Sequence, residues 1–146
     1  MRLIDVNVLV YAYRADAPDH ERFRDWLENL RGGEEPYAVS DVVLSGFLRI
    51  VTHPKVFSPP SKIEAALQFA QALRESPNCI AATPGARHWS LFEKLCRDSH
   101  AMGNLVPDAY LAALAIESGS ELVTADRGFG RFRGLRWRHP LESGTE

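Results

Sequence analysis

The chain has 146 residues, 45% of them apolar, with 17 Lys and Arg against 19 Asp and Glu and a formal net charge of −2. That length supports one domain with a full core, and the net charge by itself announces no nucleic-acid or membrane binder. No apolar run is long enough to span a bilayer, and the apolar pattern starts at Leu3 without room for a leader, so a cytoplasmic protein is expected. In chain order, "RLID" reads as a short strand, and "VNVLVYAYR" follows it without a turn as the start of a helix. "PDHERFRDWLENLRGG" is an amphipathic helix with Phe23, Trp26, Leu27 and Leu30 on one stripe and Gly32 as its stop. "PYAVS" is a second strand, and "SDVVLSGFLRIVTHP" a helix capped by Ser40 and ended before Pro54. After the loop "KVFSPP", "SKIEAALQFAQALRESP" opens with the capping-box pair Ser61 and Glu64. "NCIAAT" is a third strand, and "GARHWSLFEKLCRDSHA" a helix expected to turn Trp89, Phe92 and Leu95 or Cys96 inward. "MGNLV" reads as a loop, "PDAYLAALAIESG" as an Ala-rich helix with Pro107 at its first position, "SELVTAD" as a fourth strand and "LRWRH" as a fifth.

Strands alternate with helices and no hairpin signal appears. This predicts an α/β fold, a central parallel sheet of four to five strands with helices on both faces. One domain is expected over residues 1–140, with 141–146 a disordered tail. Cys79 and Cys96 stand in no CxxC or metal-ligand spacing and read as buried thiols. His20, His53, His88, His100 and His139 show no ligand spacing and read mostly as exposed or capping.

The chemistry sits in the carboxylates. Asp5 interrupts an apolar run, and burying an ionised carboxylate without a partner costs several kcal/mol or shifts its pKa. Asp5 ends the first strand, Asp126 ends the fourth, and Asp108 opens the helix after the "GNLV" loop. In an open parallel sheet these positions line one crevice, where ligands bind. Three acids meeting there need protons or a divalent cation, and oxygen donors suit Mg²⁺ or Mn²⁺. A cation so held can carry a phosphate and activate a water for phosphodiester hydrolysis. Each acid also has an ordinary reading: Asp5 as a helix cap, Asp108 as a first-turn acid favoured by the helix dipole, Asp126 as a turn residue. From Arg127 to His139 the chain carries five arginines and no acid, either a local phosphate-binding patch or a solvated face.

The segments "LIDVNVLVYAYRADAPDHERFRDWL", "GFLRIVTHPKVF", "GNLVPDAYLAALAIESGSELVTADRGFGRF" and "GLRWRHP" together resemble the PIN-domain toxins of the VapC family, the ribonuclease halves of type II toxin–antitoxin pairs. The resemblance runs over nearly the whole chain. It implies a PIN-like fold, an acidic Mg²⁺ or Mn²⁺ pocket and endoribonuclease activity by in-line attack of a metal-activated water. It assigns Asp5 and Asp108 as principal metal ligands, Asp126 as the third acid, and Asn7 and Thr124 as the neighbours that orient them. Arg127, Arg131 and Arg133, with Arg49, fall where they would position RNA phosphates. A VapB-like antitoxin is implied as the partner that covers and inhibits the pocket, in a toxin–antitoxin hetero-oligomer or with a homodimer. The apolar helix hairpin at residues 41–76 is its expected docking groove.

One departure matters. Many members place a Glu where this chain has Gly46, inside a helix and unfavourable there by about 1 kcal/mol relative to Ala. Asp41 lies five residues earlier, about 140° around an ideal helix, and is a poor substitute. One well-held metal and a weak or substrate-assisted second site are therefore expected. Two rival readings remain: a catalytically weak PIN domain that binds RNA or an antitoxin, and a phosphatase or dehalogenase with Asp5 as nucleophile, which Asn7 disfavours because that class wants a second Asp there.

Overall fold

The structure is a computed structural model that describes residues 1–142; residues 143–146 of the expected tail lie outside the described residues. Five short strands, β1 (Arg2–Ile4), β2 (Tyr37–Val39), β3 (Cys79–Ala81), β4 (Glu121–Val123) and β5 (Trp137–Arg138), form one sheet in the order β3-β2-β1-β4-β5. Every pairing is parallel, with Leu3 beside Ala38 on one side and Leu122 on the other. Parallel strands covered on both sides need apolar residues throughout, and Leu3, Ile4, Tyr37, Ala38, Leu122 and Val123 are all fully buried.

Among the described residues six α-helices cover the sheet: α1 (Val6–Tyr13), α2 (His20–Gly32), α3 (Asp41–Val51), α4 (Ile63–Glu75), α5 (His88–Asp98) and α6 (Leu105–Ser118). Helix α1 packs on α2 and α3, and α3 on α4, whereas α5 and α6 pack on each other. The chain moves outward from β1 to β3, then crosses back to β4 and β5. Right-handed crossovers in opposite directions set the two helix groups on opposite faces. The reversal between β1 and β4 makes the carboxyl ends of these two strands the topological switch point.

Several local expectations are corrected. The last long helix starts at Leu105, two residues before Pro107, so "LV" belongs to helix rather than loop; Gly119 ends it at φ 66°. The capping box at Ser61 does not form: α4 has Lys62 at its N-cap with no side-chain bond, because the Ser61 hydroxyl accepts from Arg14 Nη1 at 3.0 Å instead. Trp89 is 64% exposed. The inward stripe of α5 begins one residue earlier, at His88, whose Nε2 lies 3.0 Å from the Tyr110 carbonyl and which packs on the Tyr110 ring. His88 is therefore buried rather than exposed. Cys79 and Cys96 are free thiols, half-buried rather than fully buried. Leu141, at the start of the expected tail, packs against the core. Among the described residues no helix is long and apolar enough to cross a membrane.

Candidate active site

Asp5 follows β1 directly and serves as the N-cap of α1, its Oδ1 accepting from the Val6 amide at 2.7 Å. The capping reading of Asp5 thus holds, and it leaves the second oxygen to the site. Asp5 Oδ2 accepts from the Thr124 hydroxyl at 2.7 Å and from Asn7 Nδ2 at 3.3 Å. Thr124, fully buried just past β4, also accepts from the Asp126 amide at 3.0 Å. Asn7 Oδ1 accepts from the Ala125 amide at 3.1 Å, so its amide group bridges the first turn of α1 to the end of β4. Two strand ends 119 residues apart in sequence are thereby locked together by side chains.

Burial pushes the Asp5 carboxyl up from its usual range, against the Thr124 and Val6 hydrogen bonds that favour its ionised form, and the Asp126 charge adds to the rise. Asp108, in the first turn of α6 and half-buried, is pushed up to about 6, first by burial and then by the charges of Asp5 and Asp126; Arg131 opposes the shift. Asp126 is exposed, and its Oδ1 accepts from the Gly128 amide at 2.8 Å, capping the 3₁₀ turn Arg127–Arg131. Its turn-residue reading holds as well, beside its place in the site. The three acids line one open cavity of about 500 Å³.

The donor set is all oxygen, which suits a hard divalent cation, and a cation would offset the burial and the repulsion that together hold two of these acids toward protonation. Among the described residues no three His, Cys, Asp or Glu side chains stand close enough together to cage an ion as placed. Mg²⁺ needs no such cage, since it keeps several waters and takes only one or two carboxylates directly.

The arginines divide. Arg49 of α3 lines the cavity. Arg131 acts on Asp108 through space, its Nε bonded to the Gly128 carbonyl at 2.8 Å. Arg127 is turned to Glu142, and none of Arg127, Arg131 and Arg133 lines the cavity. Gly46 does line it, and its place in a helix has a packing cause: a Cβ there would meet Val6 Cγ2 at 3.1 Å. Asp41 faces Arg74 of α4 at 3.9 Å and takes no part in the cavity. Sequence reasoning missed Tyr11, Val56 and Phe57, which form part of the cavity wall. They carry no motif, and only the fold brings them to the acids.

The PIN domain family model matches residues 2–135. Ribonuclease VapC43 of Mycobacterium tuberculosis is 48% identical over 145 residues, 99% of both chains. Ribonuclease VapC25 of the same organism is 40% identical over 140 residues, 96% of this chain and 99% of its own. In structure, VapBC2 of Rickettsia felis, solved bound to a DNA fragment from its promoter, has a chain that superposes with a TM-score of 0.68 at 21% identity, covering 94% of this chain and 96% of that one. A parallel sheet with its acids at the switch point, matched over almost its full length by these relatives, places the chain in the PIN domain family, among the VapC ribonucleases.

Proposed function

We propose that this protein is a Mg²⁺- or Mn²⁺-dependent endoribonuclease, the toxin of a toxin–antitoxin pair. The observation that carries the reading is the meeting of Asp5, Asp108 and Asp126 in one cavity at the β1/β4 switch point, in a chain whose full-length relatives are named ribonucleases. Asp5 and Asp108 would be the principal ligands of the ion, and Asp126 a third ligand, directly or through water. When bound, the ion supplies charge neutralisation at the phosphate and a water acidic enough to attack it. The chain's own residues do the rest. Thr124 and Asn7 hold the Asp5 carboxylate in one orientation. Arg49, on the cavity wall, is placed to meet a phosphate seated there, and the Arg131 charge is felt at Asp108. Arg127 and Arg133 belong to the approach of the strand rather than to the reacting bond.

A VapB-like antitoxin is the expected partner, covering the cavity. The α3–α4 hairpin offers it exposed Val42, Val56, Ile63 and Leu67. A second reading, an RNA- or antitoxin-binding module with little catalysis, is favoured by Gly46, which leaves one carboxylate fewer in the cavity than many relatives have. Purified protein freed of partner, incubated with labelled RNA in Mg²⁺, Mn²⁺ or EDTA, separates the two. Internal cleavage with metal, absent in EDTA and in Asp108→Asn, is the expected result. Intact RNA in every condition together with a gel shift would favour the binding module.

A further inference from the structure

The acids occupy one end of the cavity, and the other end is apolar. There its wall is built by Tyr11 of α1, Ile50 of α3, and Val56 and Phe57 of the loop that follows. Val56 is 54% exposed and Phe57 half-buried, so this wall opens to solvent. The Phe57 ring is fixed from outside the cavity lining. The Arg14 guanidinium lies 4.3 Å from the ring centroid. Arg14 grips Asp16 with Nε and Nη2 at 2.9 and 2.8 Å, and donates to Ser61 Oγ at 3.0 Å and to the Pro59 carbonyl at 2.9 Å. A guanidinium with this many partners ties the 57–61 loop to the C-terminal end of α1. The N-terminal end of the same helix is capped by Asp5. One helix of 8 residues, about 12 Å long, thus sets the distance between the carboxylate end and the aromatic end.

An open aromatic and aliphatic wall, with Arg49 on the same cavity, is the combination by which proteins hold single-stranded nucleic acid: cations on the backbone, rings against unpaired bases. We propose that the apolar end is a base-stacking subsite, in which an unpaired nucleobase beside the cleaved bond packs against Phe57, and that Arg14 is the positioning residue that holds the ring. The inference rests on the endoribonuclease reading for the path of the strand, but base binding itself needs no cleavage.

The test is binding of single-stranded oligoribonucleotides in EDTA, followed by fluorescence anisotropy, each strand carrying one abasic sugar at a different position. The full-length protein binds the intact strand, and one abasic position weakens that binding ~10-fold. Phe57→Ala binds the intact strand ~10-fold more weakly and no longer distinguishes the abasic position. Phe57→Leu, which keeps apolar volume, folds as the wild type and also loses the distinction, whereas Phe57→Tyr keeps it. Arg14→Gln blunts it with the ring still present. The proposal is overturned if no abasic position matters, if the wild type binds no strand, or if Phe57→Ala or Phe57→Leu keeps the full abasic penalty. It is also overturned if Phe57→Ala leaves strand binding unchanged and instead weakens retention of a co-expressed protein partner, because the occupant is then a polypeptide. Base-dependent binding in a protein that cuts no RNA keeps the subsite and removes the nuclease reading. Cleavage with binding indifferent to Phe57 removes the subsite alone.

Discussion

Asp108 carries two opposed demands. Its carboxylate serves the site only when ionised, yet burial and the charges of Asp5 and Asp126 hold its proton up to about pH 6. The unfolded chain releases that proton near 3.8, so the native state binds protons more tightly than the unfolded one. Stability therefore falls as pH rises from 3.8 to about 6, and the cost is full above that range. Screening at a half-buried group reduces this cost to about 1 kcal/mol. Asp108→Asn should then stabilise the metal-free protein at neutral pH by about that amount while abolishing cleavage. Denaturation in EDTA should show the gain shrinking as pH drops toward the ordinary carboxylate value. Thr124 is under the opposite demand. Thr124→Val keeps its volume but removes the donor to Asp5 and the acceptor of the Asp126 amide, and should cost about 1–3 kcal/mol in urea denaturation.

At the scale of elements, the site depends on how closely α3 approaches α1. Gly46 permits it, with Val6 Cγ2 at 3.1 Å from where a Cβ would stand. Val6 is β-branched and directly follows Asp5 at the start of α1, so it yields little without moving the cap. Gly46→Ala should therefore destabilise the protein despite the better helix propensity of Ala. Val6→Ala in the same chain should restore it, with a coupling of about 1 kcal/mol in a double-mutant cycle. The sequence could show that Gly46 sits in a helix, not that its neighbour is Val6, because contacts between distant segments leave no local pattern. The same limit hid Arg14 from Phe57 and Ser61. Some local signals were legible, although the capping box at Ser61 was not one of them. Ser40 caps α3 as its position before an apolar helix implies, with its hydroxyl 3.2 Å from the Val42 amide. On α5 the expected inward Leu95 is buried and Phe92 packs on the core, but His88 takes the place expected of Trp89, since a 3.6-residue period leaves the edge of the stripe open when aromatic residues stand on both sides of it.

For the whole molecule, strand and helix alternation fixes a parallel sheet, and the sheet order then fixes the switch point. Asp5 was legible because a strand end is readable from where an apolar run stops; Asp126 does not end β4, which stops at Val123, but caps the 3₁₀ turn that follows. Asp108 was legible only as a first-turn acid, although its helix starts two residues earlier than Pro107 suggests. The arginines were not resolved by sequence, because spacing within "RGFGRFR" does not say that Arg127 turns to Glu142 while Arg131 bonds back to the Gly128 carbonyl. Metal should couple to global stability: a cation that binds only the folded state raises the melting temperature, by an amount that grows with the logarithm of its concentration once that exceeds the dissociation constant. Mn²⁺ should therefore raise the wild-type melting temperature and leave that of Asp108→Asn nearly unchanged.

The measurement that bears most directly on the account is a calorimetric titration of Mn²⁺ into the partner-free protein, with Asp5→Asn, Asp108→Asn and Asp126→Asn alongside. One well-held ion is expected in the wild type, lost in Asp5→Asn and Asp108→Asn and weakened in Asp126→Asn. Binding that survives in Asp5→Asn and Asp108→Asn, or two equally tight ions, would contradict it.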